Sequence, residues 1–200
     1  MAHSLTDFKS RLSGGGARPN LFEVEITPGE LPDGVSALDG DTFKYLCKAA
    51  QLPASNVASI DVPFRGRTFK VAGDRTFDTW TITIINDTDF SIRETMEEWM
   101  QFVAQYQDGS GGTNPDSYMA SAVVKQLGRL KSNIGKGEGN SKDSGLDIIA
   151  VYRFADIFPT NISAIDVSYD TTDTIEEFTV EFQVNYWYPE PKDGPTGNNA

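Results

Sequence analysis

A mainly β fold is predicted for this chain: antiparallel sheets of sandwich or barrel-like type with one amphipathic α-helix near residues 91–106. Three observations predict it. Val, Ile and Thr total 42 against 10 Leu, a bias toward side chains that fit a pleated surface. Apolar and polar residues alternate with period two along several stretches, the pattern of a half-buried strand. Only one stretch places its apolar residues at helical spacing. A chain of 200 residues can bury about 70% of its unfolded surface in one core. The sequence therefore reads as a single domain over 1–200, with a flexible N-terminal arm over 1–20 and a polar C-terminal tail over 189–200.

The first strand is expected at Leu21 to Thr27, where Phe22, Val24 and Ile26 share one face and Glu23 and Glu25 the other. Phe43 to Ala49 fits both periods, because Phe43, Tyr45 and Cys47 alternate while Phe43, Leu46, Cys47 and Ala50 suit a helix. Strands follow at Val57 to Val62, Thr68 to Ala72 and Phe77 to Ile84. In the last of these Trp80, Ile82 and Ile84 oppose Thr79, Thr81 and Thr83. The helix is expected from Ser91 to Tyr106, with Ile92, Met96, Trp99, Met100, Val103 and Tyr106 on one stripe. Ser91 with Glu94 makes a capping-box pattern at its start, and Asp108-Gly109 closes it. Further strands are expected at Ser117 to Leu130, Leu146 to Ile157 and Ile162 to Tyr169. The longest alternation, Thr174 to Tyr186, sets Phe178, Val180, Phe182, Val184 and Tyr186 against Glu177, Thr179, Glu181, Gln183 and Asn185. Thr76 to Ile84 and Thr174 to Phe182 echo each other in pattern, as do Ser59 to Val62 and Ala164 to Val167.

Composition narrows the chemistry. One cysteine, Cys47, excludes an intramolecular disulfide, and one histidine, His3, sits beside the first residue. No zinc-ligand spacing and no imidazole-based triad can be drawn. Cys47 reads as a small core hydrophobe. Gly135-Lys136-Gly137 lacks the remaining residues of a phosphate-binding loop, and no GxGxxG occurs. Glu176-Glu177 and Glu97-Glu98 are adjacent carboxylates, but Glu176 and Glu177 as neighbours on a strand face opposite ways and cannot converge on one substrate. No cofactor and no enzymatic activity are expected. A net charge of -12 disfavours a conventional DNA-binding surface. The stretch MAHSLTDFKSRLSGGG lacks a signal-peptide core and no apolar run approaches the ~20 residues of a membrane helix, so the chain reads as soluble.

Charge is unevenly placed. Between Val123 and Lys142 five basic residues, Lys125, Arg129, Lys131, Lys136 and Lys142, face Glu138 alone. This is either a solvated hairpin tip or an electrostatic docking surface for another subunit. From Phe154 to Pro191 there is no Lys or Arg but there are eight acids, which reads as a solvated acidic face.

Phe64 to Trp99 reads FRGRTFKVAGDRTFDTWTITIINDTDFSIRETMEEW. With FPTNISAIDVSYD from Phe158 and DTIEEFTVEFQVNYW from Asp173 to Trp187, this resembles the tail tube proteins of contractile-tailed bacteriophages. The type VI secretion tube proteins are similar in fold. The resemblance implies a structural virion protein that forms hexameric rings, stacked into an inner tube inside a sheath, through which DNA passes without specific binding. It also implies sheath, baseplate and terminator proteins as partners, no membrane insertion, and assembly in the bacterial host cytoplasm. A terminator or baseplate adaptor, or a bacterial contractile-injection tube subunit, is the alternative on the same fold. If Phe178, Val180 and Phe182 with Trp80, Ile82 and Ile84 fill the core, the opposite residues face outward. Thr79, Thr81, Thr83, Glu177, Thr179, Glu181 and Gln183 are thus the candidates to line the lumen, as a wetted wall without cations. Glu23 and Glu25 are the runner-up wall.

Overall fold

The computed structural model describes residues 4–12, 16–27, 32, 35–36, 38–129 and 146–190. Among them are eight strands: β1 (Phe22–Ile26), β2 (Cys47–Ala50), β3 (Ser55–Phe64), β4 (Arg67–Phe77), β5 (Trp80–Ile85), β6 (Ala120–Leu127), β7 (Ile148–Ile162) and β8 (Glu177–Glu190). Three α-helices accompany them, α1 (Leu5–Arg11), α2 (Gly40–Leu46) and α3 (Ser91–Val103), with a 3-10 turn at Pro115–Ser117. Six strands form one sheet in the order β1-β6-β7-β8-β5-β2, and β3 pairs with β4 alone. The mainly antiparallel β architecture is the one the alternation predicts.

The chain divides into two compact units. One holds residues 1–24, 123–153 and 188–200; the other holds 25–122 and 154–187. In the first, the Gln126 amide donates to the carbonyls of Arg18 and Leu21, and the Arg153 guanidinium pairs with Glu190 at 3.0 Å. No residue of α1 is buried. The stretch read as a flexible arm thus contains a helical turn, and β8 extends two residues into the stretch read as the tail.

In the second unit the core is made by the inward face of β5 and β8 and by α3. Trp80 stacks on Phe154 at 4.6 Å between ring centroids and lies 5.4 Å from Phe182. Ile92, Thr95, Met96 and Trp99 of α3 are buried. Trp99 lies 5.9 Å from Phe182, and its indole N–H donates to the Tyr118 carbonyl at 2.7 Å. A buried indole usually finds such a partner, whereas the Trp80 indole N–H, buried in the same core, has none among the described residues.

Several expectations are corrected. The helix start is not capped by a box of Ser91 and Glu94. Phe90 occupies the cap with φ 55 and no side-chain bond there, and the Asp87 carboxylate instead accepts from the Ser91 N–H and hydroxyl. The helix ends at Val103, so Tyr106 lies outside it and is exposed. Phe43 to Ala50 is helix and then strand, which is why both periods fit. No strand exists at Ile162 to Tyr169. β7 instead runs straight through Pro159 to Ile162, and 163–176 is a loop. Pro159 offers no N–H to the ladder; beside it the Thr160 hydroxyl donates to the Glu181 carbonyl of β8. The inward phase of β7 slips by one residue at Asp156, which has φ 54, so that Phe154 and Ile157 are both buried. Of the two echoes, the first joins hydrogen-bonded neighbours, β5 and β8. The second pairs a strand with a loop and has no structural counterpart.

Candidate functional site

The sequence T-I-T-I-I of β5 and E-F-T-V-E-F-Q-V of β8 alternate over the same length, so antiparallel pairing puts like residues opposite each other. Trp80 faces Phe182, Ile82 faces Val180 and Ile84 faces Phe178, and all six side chains are at most 1% exposed. Thr81 faces Glu181 and Thr83 faces Thr179 on the other side of the sheet. Gln183 shares their phase and their partial burial. Thr79 lies exposed just before β5, and Glu177 ends the face across from Ile85. The structure therefore gathers the polar residues of the two strands on one surface, with Thr79 and Glu177 at its opposite ends.

One residue of this surface is absent from the sequence reading. Lys48 sits at the irregularity in β2, where pairing passes from Cys47↔Ile84 to Ala49↔Thr83. Its ammonium reaches the Glu177 carboxylate at 2.5 Å. The two positions are 129 apart in the chain, and Lys48 falls in the stretch whose period is ambiguous, so no local signal joins them. The face is thus not free of cations; its lysine is neutralised in place by Glu177. The runner-up carboxylates differ from a wetted wall: Glu23 is buried, and Glu25 pairs with Lys44 at 3.3 Å.

Of the basic cluster, Lys125 lies half-buried in β6 and Arg129 is exposed just beyond it. Lys131, Lys136 and Lys142 lie outside the described residues.

A larger surface was not anticipated. The β3–β4 hairpin pairs Ile60 with Val71, Val62 with Phe69 and Phe64 with Arg67. Directly paired side chains share a face, so Ile60, Val62, Phe64, Phe69 and Val71 form one apolar strip. It is open to water, with Phe64 and Phe69 each 66% exposed. Arg65 and Gly66 close the hairpin with φ 46 and 82, both positive as a two-residue hairpin turn of matching twist demands. The signal was present as Ile60 and Val62 before FRGR and Phe69 and Val71 after it, each pair in alternation, but exposure is not written in alternation.

Burial pushes the Cys47 thiol up to about 12, so it stays protonated and unreactive. Among the described residues no group of three or more His, Cys, Asp or Glu side chains could hold a metal ion, and no helix is long and apolar enough to cross a membrane.

A family model described as phage tail tube protein matches residues 17–190. The chain belongs to that family. Its relatives include the tail tube protein gp19 of Enterobacteria phage T4, 33% identical over 175 residues that cover 88% of this chain and 93% of the relative. The tail tube protein of Serratia phage KSP90 is 23% identical over 185 residues, covering 90% and 93%. Among solved structures, the sheath–tube complex of the extracellular contractile injection system PVC in its extended state matches with TM-score 0.56 at 11% identity, covering 94% of this chain and 99% of the other. At that identity the likeness speaks for the fold. The chain is a structural subunit of tail tube type, not an enzyme.

Proposed function

We propose that residues 1–200 act as one tube module, with its arm over 1–20 and tail over 189–200. In this reading it assembles into stacked hexameric rings of an inner tail tube, with the polar face of β5 and β8 lining the bore through which DNA is ejected. The observation that carries this is the pairing of Thr81 with Glu181 and Thr83 with Thr179 on the side of the sheet away from the core. Hydroxyl, amide and carboxylate groups in alternation hold water along a wall, and free Lys or Arg would hold phosphates. Glu177 masks Lys48 and keeps that wall from attracting DNA. The identity to T4 gp19 along nearly the whole chain favours a tube subunit over an adaptor. The sheath, baseplate and terminator proteins are its partners in the assembled tail.

The hairpin supports self-assembly in the same reading. A two-stranded ribbon alone is marginal in water, and five exposed apolar side chains on one face gain stability only when another surface covers them. Lys125, Arg129, Lys131, Lys136 and Lys142 form a second docking surface of electrostatic kind, whose reversal to Glu should weaken assembly most at low salt.

Charge reversal at Glu177 and Glu181 tests the lumen assignment. Glu177→Lys with Glu181→Lys should leave tubes of normal form but slow or stall DNA ejection from assembled particles. Normal tubes with normal ejection kinetics would place these residues elsewhere.

A further inference from the structure

The hairpin joins the start of β5 through Phe77, Asp78 and Thr79, and a second exposed surface joins its end. There the loop 86–90 leaves β5, and the loop 163–176 enters β8, whose first residue Glu177 pairs with Ile85. Asn86 ties the two loops together, donating its backbone N–H to the Glu176 carbonyl at 2.9 Å and its side-chain amide to the Glu176 carboxylate at 3.1 Å.

These two surfaces have opposite character in charge and the same character in hydrophobicity. The hairpin carries Arg65, Arg67, Lys70 and Arg75 against Asp61 and Asp74, with Lys70 already paired to Asp61 at 2.9 Å. The two loops contain no Lys or Arg, but hold Asp87, Asp89, Asp166, Asp170, Asp173 and Glu176. Among these acids stand Val167, 81% exposed, Ile175, 73% exposed, Tyr169, fully exposed, and Phe90. Apolar side chains bared among acids on one surface, and among arginines on the other, are complementary in both respects. Their attachment points are separated by the six residues of β5, about 17 Å along a strand.

We infer that these are the two halves of one contact between copies of this chain: the hairpin of one copy seats on loops 86–90 and 163–176 of the next. The inference rests on the tube reading for its setting, and supplies the surface the hairpin meets. Donor and acceptor are different patches, so the contact is heterologous. Each bound copy keeps one free half, and addition continues along one direction until something else caps the end. Acidic residues that look like a merely solvated face in the sequence thereby acquire a partner of defined chemistry, the Arg65-Gly66-Arg67 tip with its flanking aromatic rings.

Charge exchange in the full-length chain tests this. Arg65→Glu with Arg67→Glu, and separately Asp170→Lys with Asp173→Lys, should each cut the sedimentable, tube-forming fraction at least tenfold at low salt, with thermal unfolding of the monomer unchanged. All four substitutions in one chain should restore tubes visible by negative stain, and so should an equimolar mixture of the two double variants, because each then meets an opposite charge. Loss of assembly in the hairpin variant without rescue by the loop reversal would overturn this pairing and leave the tube reading standing, the hairpin then meeting another protein or another face. Normal assembly by either double variant would overturn it equally. A wild-type chain that stays monomeric throughout would overturn the tube reading together with the pairing.

Discussion

The β3–β4 hairpin and the β5–β8 pair are both antiparallel ladders in near-perfect alternation, yet one is almost wholly exposed and the other is sealed on one side by α3. In β5 the residues alternate between buried and half-buried; in β3 every residue after Ser55 is exposed. The same local pattern therefore serves two ends. Against α3 an apolar face stabilises the chain's own fold, and without a cover it is stability held in reserve for association. The difference predicts that substitutions in the two ladders separate folding from assembly.

The largest expected effect on folding is at Phe182, which is buried between Trp80 and Trp99. Phe182→Ala should cost about 3–5 kcal/mol, as large-to-small changes in aromatic cores do, and thermal or denaturant unfolding measures it. A cost below that range would mean the β5–β8 face is less tightly packed than its burial implies.

A smaller effect is expected where α3 begins. The Asp87 carboxylate accepts from the Ser91 N–H at 3.1 Å and the Ser91 hydroxyl at 2.9 Å, and removing such a cap typically costs about 1 kcal/mol. Asp87→Ala should show that loss, and Ser91→Ala a lesser one, since the backbone N–H bond survives. Equal losses would mean that the hydroxyl bond rather than the backbone N–H bond carries the cap.

Next comes a pH-dependent tether. The Ser36 N–H, 2.6 Å from the Glu98 carboxylate, holds that carboxyl below its ordinary value of 4.5. A depressed folded value means that the contribution is fully present above the unfolded value and is lost as pH falls through the folded one. Stability should therefore fall slightly on acidification below pH 4.5, and Glu98→Gln should remove that component of the acid slope. An unchanged slope in the variant would show the tether to be inert.

The smallest effect on folding is expected in the hairpin. Phe64→Ser with Phe69→Ser should shift unfolding by no more than about 0.5 kcal/mol, the range for exposed positions away from the core. The same change should abolish assembly into sedimentable tubes. A large loss of stability would mean that the hairpin is part of the fold rather than reserved for a neighbour.

What was legible in the sequence follows from the same contrast. Alternation in β5 and β8 identified their buried faces from Trp80 to Ile84 and from Phe178 to Val184, but Tyr186, expected on the same face, is 46% exposed. The helical stripe identified Ile92, Met96 and Trp99, because burial on one side leaves a period behind. The run from Phe43 to Ala50 could not be resolved by period, since a helix turns into a strand within it. The strand expected to end at Ile157 instead passes through Pro159 to Ile162, with the neighbouring Thr160 hydroxyl bonded to β8. The Lys48–Glu177 pair depends on which strands become neighbours, which no local pattern encodes. Exposure of the hairpin was illegible for a further reason: a strand whose apolar face awaits another copy has the same sequence pattern as one that packs at home.

The measurement that bears most directly on the account is a helical reconstruction of tubes assembled from the wild-type chain. It should place Thr81, Thr83, Thr179 and Glu181 on the bore, with Lys48 still held by Glu177, and should bury Phe64 and Phe69 against a neighbouring copy. A bore lined by other elements, with the β5–β8 polar face turned to the outside and the hairpin strip still bare, would contradict it.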